Sequence, residues 1–344
     1  MVTERSSSPD QVQPAGAAVS AVPRVACLTP HEVMDPVYRL AAASMPAHVL
    51  VTSADRDAAA LHRMLSAATV IIGDWTGRIQ LTAADIAAAR QCVAIVQPTS
   101  GYNCIDIGAA RRAGITVANV PGANASAVAE WVVMAALLSL KEVPRFHREV
   151  REGFWPMIEA ARAGVFELRG RTVGIVGLGR IGVEVARRLV PFEPRAILYA
   201  DAVAVPEGRA AELRLNRVSL AELFLRSDVV TLHVPLTDST RHLVGTELLD
   251  LLGPDGVLIN TSRGAVVDSG ALRDALTSGR LKAAALDVFD SEPLGPGHPW
   301  AGLPNVLLSP HLAGSTNESR ERMIRCCLDN VARALRGEPL RNVI

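Results

Sequence analysis

Three segments of the chain place unusual polar residues directly after apolar runs. In the first, NTSRG, Arg263 follows Val257 to Ile259 and a small polar turn. In the second, ALDVFDSEP, Asp287, Asp290 and Glu292 crowd one loop. In the third, SPHLAGST, His311 sits between Pro310 and small residues. The planar fork of an arginine matches a carboxylate. An imidazole can give or take a proton near neutral pH. A glutamate can pair with that imidazole, orient it and favour its charged form. Each residue also has an ordinary reading. Arg263 can be half of a surface ion pair, the acidic loop can be a solvated turn, and a lone histidine is more often structural than catalytic. Together they match a specific demand. Reduction of a ketone beside a carboxylate needs a hydride donor, a proton donor and a group that holds the acid.

A hydride donor would need a nucleotide site. Thr172 to Val176 reads as a strand and runs directly into GLGRIG, Gly177 to Gly182, after which Val183 to Leu189 reads as a helix. Gly177 would allow the tight turn, Gly179 the close approach of a pyrophosphate, and Gly182 the close packing of helix on strand. The diphosphate would lie at the helix N-terminus, where free N–H groups and the helix dipole favour anions. Asp201 closes the following strand, Ala196 to Tyr199. An acid there accepts the ribose hydroxyls and repels a 2'-phosphate, so NAD is expected over NADP.

These residues must be positioned by parallel sheets. From Val25 onward the chain alternates short apolar runs with alanine-rich helical segments. The first series of strands reads Val25 to Leu28, Val49 to Val51, Thr69 to Ile72, Val93 to Val96 and Thr116 to Ala118. A long apolar helix is expected from Asn124 to Phe146. The second series reads Thr172 to Val176, Ala196 to Tyr199, Val229 to His233, Gly256 to Asn260, Ala283 to Val288 and Val306 to Leu308, six strands with helices between. A last helix runs from Glu318 to Arg336. Strand–helix alternation of this kind indicates α/β architecture built from βαβ units. Two such domains facing across a cleft are expected. Residues 1–23, rich in Ser, Pro, Gly, Ala and Gln, read as a disordered tail.

Composition removes other classes. Of 344 residues, 49% are hydrophobic and 20% charged, the balance of a globular protein rather than a disordered one. Lys+Arg and Asp+Glu are equal at 35 each, so neither nucleic acid nor a membrane surface is an expected partner. The cysteines, Cys27, Cys92, Cys104, Cys326 and Cys327, show no metal-ligand spacing. Reduced thiols and a cytoplasmic location are expected, and no metal. No targeting segment is read at the N-terminus.

The motifs GLGRIG, HVPL, NTSRG, ALDVFDSEP and SPHLAGST, in this order, resemble the NAD-dependent, D-isomer-specific 2-hydroxyacid dehydrogenases. NVPGANASAVAE, from Asn119 to Glu130, resembles the family's entry to its nucleotide domain. The resemblance covers nearly all of residues 25–344. It implies a flavodoxin-like substrate domain, residues 24–121 plus 312–344, and an inserted Rossmann domain, 122–311. It also implies that Arg263 binds the substrate carboxylate and that Glu292 and His311 form the acid–base pair. Asp287 would lie near the nicotinamide, Arg180 and Ile181 beside the pyrophosphate, and Val234 and Pro235 on the adenosine side. His233, Thr240, Thr261, Ser262 and Gly314 would complete the cofactor site. Backbone amides at Ser100 and Gly101 would help bind substrate. The implied activity is interconversion of a 2-oxo acid and a D-2-hydroxy acid, in a homodimer joined through the NAD-binding domain near the long helix. Two other readings share these motifs: an NAD(H)-sensing scaffold of the corepressor type, and a biosynthetic reductase of an unusual, for example phosphonate-bearing, oxo acid.

One departure bears on substrate. Where phosphoglycerate dehydrogenases carry a basic residue after a substrate-domain strand, this chain reads Gly73, Asp74, Trp75. Asp74 and Trp75 are expected to face the substrate, and an acid there would repel a second anionic group. No regulatory domain is expected beyond Ile344. Phosphoglycerate is therefore expected to be a poor substrate.

Overall fold

In the computed structural model, residues 23–29, 49–52, 58–162 and 164–344 are described. The tail expected over residues 1–23 lies outside them, apart from Pro23. The chain divides into two compact units. Residues up to Asn119 together with Cys326–Ile344 form one, and Val120–Arg325 the other. The expected divisions stood at 121/122 and 311/312; the second observed one falls within the Asn317–Leu335 helix.

The first unit carries β1 (Arg24–Cys27), β2 (Val49–Thr52), β3 (Val70–Ile72), β4 (Ala94–Val96) and β5 (Thr116–Ala118). Among the described residues these form a five-stranded parallel sheet in the order β2-β1-β3-β4-β5, the flavodoxin-like order. The strands β1, β3 and β4 are buried almost throughout, because crossover helices cover a parallel sheet on both faces. Leu28, Leu65, Ile71, Ile86, Ile95, Ile105 and Val117 make the core on one side. The chain end returns to this sheet: Ile344 donates its N–H to Val117 O at 2.9 Å.

The second unit carries β6 (Thr172–Val176), β7 (Ala196–Ala200), β8 (Leu215–Arg217), β9 (Val229–Leu232), β10 (Val257–Asn260), β11 (Ala283–Leu286) and β12 (Val306–Leu308). Its parallel sheet runs β12-β11-β10-β9-β6-β7-β8, so the chain reverses direction at β6 and β9, the switch point of a Rossmann fold. Alternate residues feed two cores. Val173, Ile175, Ile197, Val257 and Ile259 pack with Val128, Val132 and Leu189 on one face. Val176, Leu198, Val230, Leu258 and Leu286 pack with Leu223, Phe224, Leu249 and Leu272 on the other.

Two sequence expectations change here. The seventh strand, β8, is absent from the apolar pattern because its sequence, Leu-Asn-Arg, buries only its leucine at the sheet edge. The helix expected from Asn124 to Phe146 is two helices, Ala125–Leu140 and Val143–Arg151. Glu142 takes φ +50, and Pro144 stands in the first turn of the second helix. A proline cannot donate to the preceding turn and its ring clashes there, so the helix restarts instead of continuing.

Candidate functional site

The glycine turn behaves as its spacing predicts. Gly177 has φ +89, and a Cβ there would lie 2.8 Å from the His233 backbone. A Cβ on Gly182 would lie 2.3 Å from Gly177 O. By contrast, a Cβ on Gly179 would meet nothing within 4 Å. Two glycines are thus required by the protein's own packing, while the middle one opens onto space. Gly179 caps the Arg180–Leu189 helix. Beside it lies a cavity of about 670 Å³ whose lining includes Arg180, Arg187, Arg209 and Arg322. Open backbone, a helix N-terminus and guanidinium groups fit a diphosphate.

Asp201 lies at the end of β7. Its Oδ2 accepts the Leu178 N–H at 2.6 Å and its Oδ1 accepts the Val203 N–H at 2.9 Å, which ties the strand end to the glycine turn. Each oxygen keeps a lone pair for a ribose hydroxyl. Ile181 packs against the core. His233 donates its backbone N–H to Val176 O at 2.7 Å, and its Nε2 lies 3.0 Å from Thr231 Oγ1. Burial pushes its imidazole down to about 3, so it is neutral at working pH, with Nδ1 buried and unpaired among the described residues. Val234 packs on the second core. The Thr240 hydroxyl donates to Pro235 O at 2.6 Å and accepts the Thr237 N–H, so it braces its own loop. Thr261 keeps a buried hydroxyl with no partner among the described residues. A Cβ on Gly314 would lie 2.7 Å from Asn124 Nδ2.

Arg263, Glu292 and His311 follow β10, β11 and β12, at the carboxyl ends where open α/β sheets place their ligands. At β10, buried Asn260 shapes the turn. Its Nδ2 donates to Arg263 O at 2.9 Å, and its Oδ1 accepts the Ser262 N–H and hydroxyl. Arg263 Nη1 donates to Ser262 O at 2.6 Å. Gly264 is dictated by contact, since a Cβ would lie 2.0 Å from the Phe289 carbonyl carbon. That approach brings the Arg263 turn against the loop leading to Glu292.

At β11 and β12, Asp287 holds the histidine turn. Its backbone oxygen accepts the His311 N–H at 2.9 Å. Its Oδ1 accepts the Ser309 hydroxyl at 2.5 Å and the Leu312 N–H at 2.8 Å, and its Oδ2 accepts the Ala313 N–H at 2.9 Å. Burial raises the Asp287 carboxyl, and these bonds and the nearby His311 charge only partly offset it. His311 takes φ +55, a conformation that side-chain-bearing residues adopt rarely.

His311 Nδ1 and Glu292 Oε2 are 2.7 Å apart. Glu292 Oε1 accepts the Phe289 N–H at 2.9 Å. Burial raises the Glu292 carboxyl, but the His311 hydrogen bond and charge, the Phe289 N–H and the Arg263 charge together hold it below its ordinary value. Arg263, Glu292 and His311 therefore form one electrostatic group. Asn260 and Ser309, which complete it, were not singled out from sequence. A signal existed in that Asn260 ends one apolar strand and Ser309 directly follows another.

In the first unit, Ser100 and Gly101 lie in the loop after β4, with Ser100 O accepting from Asn119 Nδ2 at 2.8 Å. Trp75 is half-buried and donates its N–H to Thr29 Oγ1 at 2.8 Å. Asp74 departs from expectation. It is 1% exposed, and its carboxylate accepts the N–H groups of Thr76, Arg78 and Ile79 and the Thr76 hydroxyl. Four donors from its own loop neutralise the charge, so Asp74 staples that loop rather than presenting an acid to substrate. The argument against phosphoglycerate that rested on it falls away.

Comparison with known proteins agrees with this arrangement. Residues 133–313 match the family described as D-isomer specific 2-hydroxyacid dehydrogenase, NAD binding domain. The glyoxylate reductase of Aeropyrum pernix is 40% identical over 260 residues, 73% of this chain and 75% of that protein. The D-3-phosphoglycerate dehydrogenase of Archaeoglobus fulgidus is 36% identical over 259 residues, 75% of this chain but 48% of that protein. Among solved structures, NAD-dependent formate dehydrogenase from Staphylococcus aureus in complex with NAD aligns with a TM-score of 0.82 at 28% identity, covering 93% of this chain and 98% of that one. The chain belongs to the D-isomer specific 2-hydroxyacid dehydrogenase family, NAD-dependent oxidoreductases that interconvert 2-oxo and 2-hydroxy acids.

Proposed function

We propose that Arg263, Glu292 and His311 carry the reduction of a small 2-oxo acid of the glyoxylate type, and that the 2.7 Å pairing of His311 Nδ1 with Glu292 Oε2 is the observation that carries this reading. Gly177, Gly179, Arg180 and Gly182 would hold the diphosphate of NAD, Asp201 its adenosine ribose, and the buried Thr261 hydroxyl a polar group of the cofactor. NADH supplies the hydride when bound. The protein's own part is proton transfer and charge. Glu292 binds Nδ1–H and fixes the ring, leaving Nε2 to hold the proton that passes to the substrate oxygen. Arg263 binds the substrate carboxylate and draws electron density from the adjacent carbonyl.

The glyoxylate reductases support the small side chain, matching with 40% identity over about three quarters of both chains. The end of β3 also offers no cation at Gly73, Asp74 or Trp75 for a second anionic group. A panel of glyoxylate, hydroxypyruvate, pyruvate and phosphohydroxypyruvate, followed by NADH consumption with NADPH in parallel, tests this. The expected order places glyoxylate and hydroxypyruvate first, with NADH. A preference for phosphohydroxypyruvate contradicts the assignment of substrate.

We further propose a cytoplasmic homodimer joined through the second unit. Cys27, Cys92, Cys326 and Cys327 are free thiols, in keeping with a reducing compartment. No described helix is long and apolar enough to cross a membrane. Met134, Val143, Val150, Phe154, Trp155, Met157 and Ile158 are exposed within one stretch of chain, the density of apolar surface that marks a protein contact. Light scattering should report a dimer for the native chain and a monomer for Phe154→Ser/Trp155→Ser. A dimer unchanged by that double substitution contradicts this surface.

The roles of the triad separate in kinetics. His311→Ala should lower kcat by about 10²- to 10⁴-fold, the usual contribution of a general acid, while NADH still binds. Arg263→Ala should raise KM and lower kcat together. The Glu292 carboxylate, held below its ordinary value by the His311 hydrogen bond and charge, is the acceptor that faces Nδ1 at 2.7 Å. Glu292→Gln, which removes the charged acceptor that orients the ring at Nδ1, should slow reduction while NADH still binds. For stability, a lowered carboxylate stabilises above its unfolded value, and that stability is lost as pH falls through the folded one. Near-normal turnover in His311→Ala contradicts the acid–base assignment.

A further inference from the structure

Two buried amides stand side by side in the first unit, just beyond the ends of β4 and β5. The parallel register pairs Val96 with Ala118, which sets Gln97 beside Asn119. Gln97 is 1% exposed and Asn119 is 7% exposed. Gln97 Nε2 donates to Thr99 Oγ1 at 2.9 Å and to Asp74 O at 3.2 Å. Thr99 Oγ1 donates onward to Gly101 O at 2.9 Å, and Asn119 Nδ2 donates to Ser100 O at 2.8 Å. Ser100 O is therefore held by Asn119 directly, and Gly101 O by the loop residue Thr99, which Gln97 braces in turn.

We propose that Gln97 and Asn119 are positioning residues that set the affinity of this loop for the substrate carboxylate. The reasoning follows from the planar trans peptide, in which a carbonyl and the next N–H point in opposite directions. Pinning Ser100 O fixes the direction of the Gly101 N–H, and pinning Gly101 O fixes that of the Tyr102 N–H. Amides held in advance bind an anion without the ordering cost that a loose loop incurs. Gly73 belongs to the same device. A Cβ there would lie 1.9 Å from Gln97 Oε1, so a larger residue would push the amide out of this position. Gln97 Oε1 is buried without a partner among the described residues. The side chain is thus held for its donors, not for its acceptor. Asp74 connects to the network through its backbone oxygen, which gives the staple loop after β3 a purpose other than charge repulsion.

This inference rests on the reading that the Ser100–Gly101 amides receive the carboxylate. The test measures KM for glyoxylate, Ki for oxamate as a carboxylate probe, kcat, and NADH Kd in Asn119→Ala, Gln97→Met and Gly73→Ala. Expected are increases in KM and Ki on the order of tenfold, the effect of about one lost hydrogen bond, with kcat and NADH Kd nearly unchanged. Asn119→Gln, which keeps a donor, should recover part of the loss. Should these variants fold poorly, Thr99→Val removes one link of the chain and carries the same expectation at smaller size. Unchanged KM and Ki in folded variants, or a fall in kcat with KM constant, overturns the proposal. Gly101→Pro, which deletes one amide, separates the two levels. If it raises KM while Asn119→Ala does not, the carboxylate reading stands and positioning fails. If neither does, both fail.

Discussion

The buried carboxylate of Asp287 is the constraint on which the turn carrying His311 depends. His311 at φ +55 is in a backbone state that costs roughly 1–2 kcal/mol for a residue with a side chain. Against that cost, Asp287 binds the Ser309 hydroxyl and the Leu312 and Ala313 N–H groups, while its own backbone oxygen takes the His311 N–H. Hydrogen bonds to a charged acceptor contribute about 1.5–3 kcal/mol each, set against the cost of burying Asp287. The same carboxylate lies close enough to His311 for their charges to interact. One residue at the end of β11 therefore fixes where the imidazole stands, and Glu292 fixes how its ring is turned.

The remaining elements follow the same logic at neighbouring strand ends. Asn260 shapes the Arg263 turn, and the close approach of Gly264 to Phe289 joins that turn to the glutamate loop. Asp201 ties β7 to the glycine turn. In the first unit, Asp74, Gln97, Thr99 and Asn119 brace the loops after β3 and β4. Acid and amide side chains at the ends of parallel strands thus convert a generic sheet into specific loops.

Much of this was legible in the sequence. The strands β6, β7, β9 and β10 are apolar runs bounded by glycine or polar turns, and the glycine fingerprint states its own geometry. Arg263, Glu292 and His311 stand out in the sequence as polar residues in the turns that follow such runs. What could not be read depends on contacts formed only in three dimensions. Asp74 looked like a charge offered to substrate, yet four donors of its own loop surround it. Thr240 likewise braces its own turn. The strand β8 carries too few apolar residues to announce itself, and the left-handed Glu142 before Pro144 interrupts a helix that hydrophobicity alone would continue. The amides of Gln97 and Asn119 carry no motif, because their role lies in the register of two strands.

The most direct test of this account is Asp287→Asn, with kcat for 2-oxo acid reduction measured beside NADH affinity. The substitution keeps the shape of the side chain but replaces one acceptor oxygen by a donor, so the turn loses a charged hydrogen bond. A fall in kcat of about tenfold or more, the equivalent of the 1.5–3 kcal/mol of such a bond, with NADH affinity retained, is the predicted result. A folded variant with unchanged kcat would show that the histidine turn does not depend on this carboxylate.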